Sequence, residues 1–217
     1  MIDLHTHTFF SDGALVPAEH LRRVEVLGYD AVAITDHADS SNMDFIIPRI
    51  LQAARDLNPH SRTRLIAGIE LTHVPPALIA DQTRKARELG AQVVVVHGET
   101  VVEPVQQGTN RAAIEAHVDI LSHPGLITVD DAALAAEKDI FLELSGRKGH
   151  SLTNGHVARI ALETGAKLCI NADAHGPGDF LTADMARNVA LGAGLSLDDY
   201  DKILHDMSEF VNSLVVL

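Results

Sequence analysis

Thirteen histidines stand in a chain of 217 residues, and six of them fall beside small, acidic or Gly/Pro residues at the ends of short apolar runs. His5 and His7 lie in DLHTHT, His37 follows Asp36 in AITDH, and His97 closes VVVVH. His123 lies in LSHPG, and His175 follows Asp173 in NADAH. Glu70 in GIE, and Glu143 and Ser145 in LELSG, end runs of the same kind. Imidazole and carboxylate are the donors that Zn, Mn or Fe take, with the choice of ion set by geometry. In His5-Thr6-His7 the two rings are two residues apart, so on a strand both point to one side. Six histidines and at least three acids exceed the needs of one ion. Two or three ions sharing a bridging carboxylate would use them.

Such residues converge only if the fold brings the run ends together. The apolar runs predict strands at Ile2–His7, Ala31–His37, Arg64–Leu71, Gln92–His97, Asp119–His123, Ile140–Leu144 and Lys167–Ala172, short and rich in Val, Ile and Leu. Helical periodicity predicts helices over Pro17–Leu27, Asp44–Leu57, Pro76–Leu89, Arg111–Ala116, Asp130–Glu137, Asn154–Thr164 and Leu197–Leu214. Two of these start on a proline, and three end before a glycine. The alternation gives α/β: a parallel sheet with helical crossovers, either doubly wound or closed into a TIM-like barrel shortened to seven units. In both closures the C-terminal strand ends share one face, where active sites of such folds lie. No Gly/Ser-rich linker interrupts residues 1–217, so a single domain is expected.

Composition removes several alternatives. One cysteine, Cys169, excludes a disulfide framework or a CxxC zinc module, and its place inside the seventh strand makes it a packing residue. The net charge of −13 argues against broad binding to nucleic acid or anionic membrane. The start of the chain lacks the pattern of a signal peptide, and no apolar run approaches the roughly 20 residues of a bilayer span. A cytoplasmic protein without a membrane partner is expected. His20, His60, His117, His156 and His205 fall in helical or loop segments and read as surface or packing residues, with His73 undecided. The apolar tail Leu214–Leu217 would close the barrel bottom or meet another subunit; the sequence does not set the oligomeric state.

The ordered set DLHTHTFFSDG, AITDH, GIE, VVVVHGE, LSHPG and NADAH resembles the PHP (polymerase and histidinol phosphatase) family of metal-dependent phosphoesterases, and the resemblance spans essentially the whole chain. It implies a distorted seven-stranded β/α barrel holding two or three divalent ions (Zn, Mn or Fe). By motif position His5, His7, Glu70 and Asp173 would hold the first ion. Glu70, His97 and His123 would hold the second, with Glu70 bridging. Asp12, His37 and His175 would hold a third. The implied nucleophile is a metal-bridged hydroxide, because a water between two ions has its pKa lowered from about 15.7 toward about 7.

A phosphate ester also needs cations. SGRKGHSLTNG, after the sixth strand, supplies Arg147, Lys148 and His150 in a glycine-flanked loop over the same face. Arg147 could grip phosphate bidentately, and His150 could donate a proton to the leaving group. The expected activity is hydrolysis of a small phosphorylated metabolite, such as a histidinol-phosphate-like or nucleotide phosphate. Nuclease action on phosphodiesters is the alternative, disfavoured by the charge and by having only two Tyr and six Phe. A metal-storing scaffold would leave the open face unexplained.

Overall fold

The structure, a computed structural model, describes residues 1–215. Among the described residues eight strand segments and eight α-helices follow one another, mostly in alternation: β1 Ile2–Asp3, α1 Pro17–Val26, β2 Ala31–Ile34, β3 His37–Ala38, α2 Met43–Leu57, β4 Arg64–Leu71, α3 Pro76–Glu88 and β5 Val93–His97. Then follow α4 Thr109–Glu115, β6 Ile120–Ser122, α5 Val129–Glu137, β7 Phe141–Ser145, α6 Asn154–Thr164, β8 Leu168–Asn171, α7 Ala183–Gly192 and α8 Leu197–Ser213. All pairings are parallel, in the order β1-β2-β4-β5-β6-β7-β8, with β3 continuing the β2 stave against β4. A parallel bridge from Thr6 to Ala174 brings the first stave to the last, and His7 N–H donates to the Ala174 carbonyl at 2.9 Å. The result is a nearly closed barrel of seven staves, the closure expected from the resemblance.

The strands read as continuous apolar runs because both faces are covered. β2 and β5 are buried throughout, and Val32, Ile34, Ile66, Val94 and Leu142 have no exposed surface. Helix stop signals act as expected: Gly165 ends α6 in the left-handed conformation. At the base of the barrel the Arg64 guanidinium donates to the carbonyls of Val211, Leu214 and Val215, so the described part of the C-terminal tail is tied to the start of β4. Val216 and Leu217, the remainder of the expected apolar closure, lie outside the described residues.

Three elements depart from expectation. The first stave forms a ladder only over Ile2–Asp3, because side chains replace strand partners beyond it. Leu4 N–H donates to Asn171 Oδ1 at 2.8 Å and Thr6 N–H to Thr35 Oγ1 at 3.2 Å. The expected strand Ala31–His37 breaks at Thr35–Asp36, where Asp36 turns to serve the neighbouring loop. Helix α7 was not expected; its buried stripe is only Ala186 and Ala190, too slight to register as periodicity. No helix among the described residues is long and apolar enough to cross a membrane.

His60, His117 and His205 are exposed, whereas His20 is buried in α1 with the edge of Phe180 at 4.8 Å. Both of its ring nitrogens lack a partner among the described residues, and burial pushes its pKa down to about 4. The unfolded chain takes up this proton near pH 6.5, and the folded chain does not until about pH 4. The stability His20 contributes is therefore present above pH 6.5 and lost as the pH falls toward 4, by up to about 3 kcal/mol. His20→Leu is expected to flatten this part of the acid dependence, measured as urea unfolding free energy at pH 7 and pH 5. An identical pH slope in both proteins would contradict it.

Candidate metal centre

Glu70, at the end of β4, sits at the middle of the barrel mouth. Its Oε1 lies 3.2 Å from His5 Nε2 and 3.9 Å from His123 Nε2; its Oε2 lies 2.6 Å from His37 Nδ1 and 3.9 Å from His7 Nε2. Ser122 Oγ donates to Oε1 at 3.0 Å, fixing the carboxylate from β6. Burial alone would raise this carboxyl, but the imidazoles of His5 and His37 hold it well below the usual range. Asp173 closes the ring from the far side, 3.1 Å from His7 Nε2 and 3.7 Å from His123 Nε2. Burial pushes Asp173 upward against the pull of His5, with Glu70 and Glu143 adding to the rise. His123 and Asp173 both hold positive φ, of 26° and 52°, backbone strain of the kind found at functional sites.

His5 is oriented from behind. Its Nδ1 lies 2.8 Å from Glu143 Oε2, which also accepts from Asn171 Nδ2 at 3.0 Å. With its proton on Nδ1, the Nε2 lone pair faces Glu70, the arrangement by which a carboxylate behind a histidine sharpens a metal ligand. Against the cost of burial, Glu143, Glu70 and Asp173 raise the His5 pKa well above the ordinary value. His7 and His123 go the opposite way: burial and neighbouring imidazoles hold both well below it.

The expected third group also assembles. Asp12 Oδ1 lies 3.1 Å from His175 Nε2 and 3.5 Å from His37 Nε2, with His7 in the same group. Asp36 builds the loop that delivers Asp12: it accepts from Thr8 N–H at 2.7 Å, Thr8 Oγ1 at 2.6 Å and Ser11 Oγ at 2.7 Å. Gly13 completes the turn, since a Cβ there would lie 2.5 Å from the His7 carbonyl oxygen. Asp12 is exposed and His37 and His175 are half-buried, so this end opens to solvent while His5, His7, Glu70 and His123 form a buried floor.

The donor set fits divalent ions. Seven of the eleven buried side-chain N and O atoms that lack a hydrogen-bond partner among the described residues belong to this cluster, including His5 Nε2, both nitrogens of His7, and Asp173 Oδ1. His7 Nε2 and Asp173 Oδ1 are 3.1 Å apart yet form no hydrogen bond, so these atoms converge without satisfying one another. Unpaired buried polar atoms are costly, and an ion accepts several lone pairs at once. Compact three- and four-residue groups of ligand atoms include His5/His7/Glu70, His5/His123/Asp173, His97/His123/His150 and His7/Asp12/His37/His175.

All nine residues expected as ligands, His5, His7, Asp12, His37, Glu70, His97, His123, Asp173 and His175, lie at this mouth. Arg147 reaches it from the β7–α6 loop, with Nη1 2.7 Å from His175 Nδ1 and 3.1 Å from the Asp173 carbonyl oxygen. His150 is buried, accepts or donates at Nδ1 with Thr100 Oγ1 at 2.8 Å, and stacks on His123 at 4.0 Å. Beside them lies a cavity of about 490 Å³ lined by Arg147, Lys148, Phe180, Leu181 and Met185. Glu103 was not expected here, and the sequence leaves His73 undecided. His73 and Glu103 gather on His97, and only the fold shows it, since Glu103 sits in a loop between elements with no strand end to mark it.

A nearly closed β/α barrel whose strand ends carry a histidine–carboxylate cluster is an architecture suited to metal-dependent hydrolysis. The chain belongs to the PHP domain family of metal-dependent phosphoesterases, whose model matches residues 3–175. It is 48% identical over 215 residues to an uncharacterized protein of Methanocaldococcus jannaschii, covering 98% of this chain and 99% of that one. It is also 26% identical over 193 residues to the DNA polymerase/3'-5' exonuclease PolX of Bacillus subtilis, covering 80% of this chain and 34% of that protein. Two solved structures share the fold. One is an archaeal ribonuclease P with mature tRNA (TM-score 0.74, 18% identity, 98% of this chain and 90% of the other). The other is the histidinol phosphate phosphatase of Lactococcus lactis, complexed with zinc, L-histidinol and phosphate (TM-score 0.63, 15% identity, 90% and 94%).

Proposed function

We infer that this chain hydrolyses a small phosphomonoester with two or three divalent ions, Zn, Mn or Fe, held by the nine residues at the barrel mouth. One observation carries the reading: the unsatisfied atoms His5 Nε2 and His7 Nε2 lie 3.2 and 3.9 Å from Glu70, with the unsatisfied Asp173 Oδ1 3.1 Å from His7 Nε2, beside a cavity of metabolite size that Arg147 and Lys148 help to line. His5, His7, Glu70 and Asp173 would hold the first ion, Glu70, His97 and His123 the second, and Asp12, His37 and His175 the third. Bound there, the ions would acidify a coordinated water toward pKa about 7 and offset charge on the phosphoryl oxygens.

The protein's own groups do the rest. His175 Nδ1 has two neighbours, Arg147 Nη1 at 2.7 Å and the Asp173 carbonyl oxygen at 3.0 Å. Use of His175 Nε2 as a ligand requires the ring proton on Nδ1, where it is donated to the Asp173 carbonyl. Arg147 Nη1 then gives up the His175 nitrogen but keeps the Asp173 carbonyl oxygen at 3.1 Å, which anchors the guanidinium while its other N–H groups would grip a phosphate. Lys148 adds a second cation, and Phe180, Leu181 and Met185 give the organic part of the substrate an apolar wall. His150, whose Nδ1 meets Thr100 Oγ1 at 2.8 Å, would serve as the proton donor to the leaving oxygen if its Nε2 is left unbound by an ion.

Arg147→Ala is expected to raise KM or lower kcat about 10- to 100-fold for a phosphomonoester, the worth of a charge-assisted contact. Unchanged steady-state kinetics would remove Arg147 from the site.

The likeness to PolX favours a competing reading, phosphodiester cleavage, against which stands the net charge of −13. A screen of phosphomonoesters, phosphodiesters and short oligonucleotides, with Mn, Zn, Fe and Mg supplied in turn, separates the two. Ion-dependent release of phosphate from a monoester is the expected result. Faster turnover of oligonucleotides would replace the monoester reading with a nuclease.

A further inference from the structure

The nine expected ligands leave the two ends of the cluster unequally charged. Around His5 and His7 stand three buried carboxylates, Glu70, Asp173 and Glu143. The His97/His123/His150 group has three imidazoles but shares its nearest buried carboxylates with the first end: Asp173, 3.7 Å from His123 and 3.9 Å from His150, and Glu70, 3.9 Å from His123. A divalent ion held there would have little negative charge of its own.

Glu103 supplies what is lacking. Its Oε2 lies 3.2 Å from both His97 Nε2 and His73 Nε2, and its Oε1 lies 3.4 Å from His150 Nε2. Against the cost of partial burial, His97 and His73 hold its carboxyl below the ordinary range. The placement is built into the β5–α4 loop. Glu99 accepts from the backbone N–H groups of Gly108 and Asn110, both at 2.9 Å, and so closes the loop at its base. Thr100 Oγ1 pairs with His150 Nδ1 at 2.8 Å, which ties this loop to the β7–α6 loop. The loop tip is thereby pressed onto the β7–α6 loop with Glu103 turned to His97. His73 comes from a different loop and holds a positive φ of 53°, the same strain shown by His123 and Asp173.

We propose that Glu103 is a further metal ligand, completing the ion site at the His97/His123 end, and that His73 orients it by donating from Nε2. The inference rests on the metal reading above. Its chemistry is that of a loop-borne carboxylate added to an imidazole-rich site, with a histidine behind it as the positioning residue. Because Glu103 is partly exposed, it is the member of the shell most able to exchange with an incoming anion.

The test is titration of the metal-stripped full chain with Mn(II) by calorimetry and with Co(II) by absorption, for the wild type, Glu103→Gln, His73→Gln and the double variant. Glu103→Gln keeps the size of the side chain and removes the charge. One binding step is expected to weaken about 10- to 100-fold, with the tighter steps unchanged and the Co(II) spectrum altered. His73→Gln should weaken the same step by less, and the double variant should be no weaker than Glu103→Gln, because His73 acts through Glu103. Isotherms and spectra equal to wild type in Glu103→Gln would overturn the proposal, and additive losses in the double variant would overturn the role of His73. A wild-type chain that binds no ion would instead overturn the metal reading itself.

Discussion

Glu70→Gln is expected to lower kcat/KM for a phosphomonoester by about 10³-fold or more while leaving the barrel folded. Both oxygens of Glu70 face histidines, and those histidines come from three staves: His5 and His7 from the first, His37 from the second and His123 from the end of the β6 stave. If it bridges two ions, an amide cannot replace it, because an amide carries no charge to share and presents one oxygen instead of two. The substitution keeps the shape of the side chain, and Ser122 can still donate to the remaining oxygen. Steady-state kinetics beside a circular-dichroism spectrum would separate lost chemistry from lost structure. A folded variant within tenfold of wild type would show that Glu70 does not bridge.

Ion removal should have the second large effect, this time on stability. A buried floor of imidazoles and carboxylates with unpartnered atoms is costly to fold, and ions that bind only the folded chain offset that cost. At ion concentrations of about a thousand times Kd the gain is about 4 kcal/mol. For a chain of this length that corresponds to about 10 °C in the midpoint of thermal unfolding. Adding Mn or Zn to chelator-treated protein should raise the midpoint by that order, and Glu70→Gln should blunt the rise. Midpoints that move less than about 2 °C with every ion tried would mean that the cluster is stable unfilled.

Much of this was legible in the sequence, because a parallel barrel turns strand ends into neighbours. β4 runs over Arg64–Leu71, the predicted bounds, since both of its faces are buried and its apolar run from Leu65 to Ile69 is interrupted only by Gly68. Eight of the nine candidate ligands stand at run ends, where no register needs to be known, while Asp12 came only from the family resemblance. What stayed hidden depended on side chains doing the work of backbone. Asn171 and Thr35 stand in for strand partners of the first stave, and Asp36 breaks the second to hold the loop that carries Asp12. Helix α7 rests on two alanines, although Thr182, which accepts from Met185 N–H, was a readable cap. Glu143 was visible as a strand-end acid, but its bond to His5 needed the barrel closed. Glu103 and His73 meet across two loops, and no spacing rule relates residues so placed.

The metal content of the chain bears most directly on all of this. Protein purified without chelator from metal-replete cells, analysed for Mn, Fe, Zn and Co per chain, should carry two to three ions. Substitution of Asp173 by Asn, which touches both His7 and His123, should lower that number. Fewer than one ion per wild-type chain, or an equal content in the Asp173→Asn variant, would contradict a metal centre at the barrel mouth.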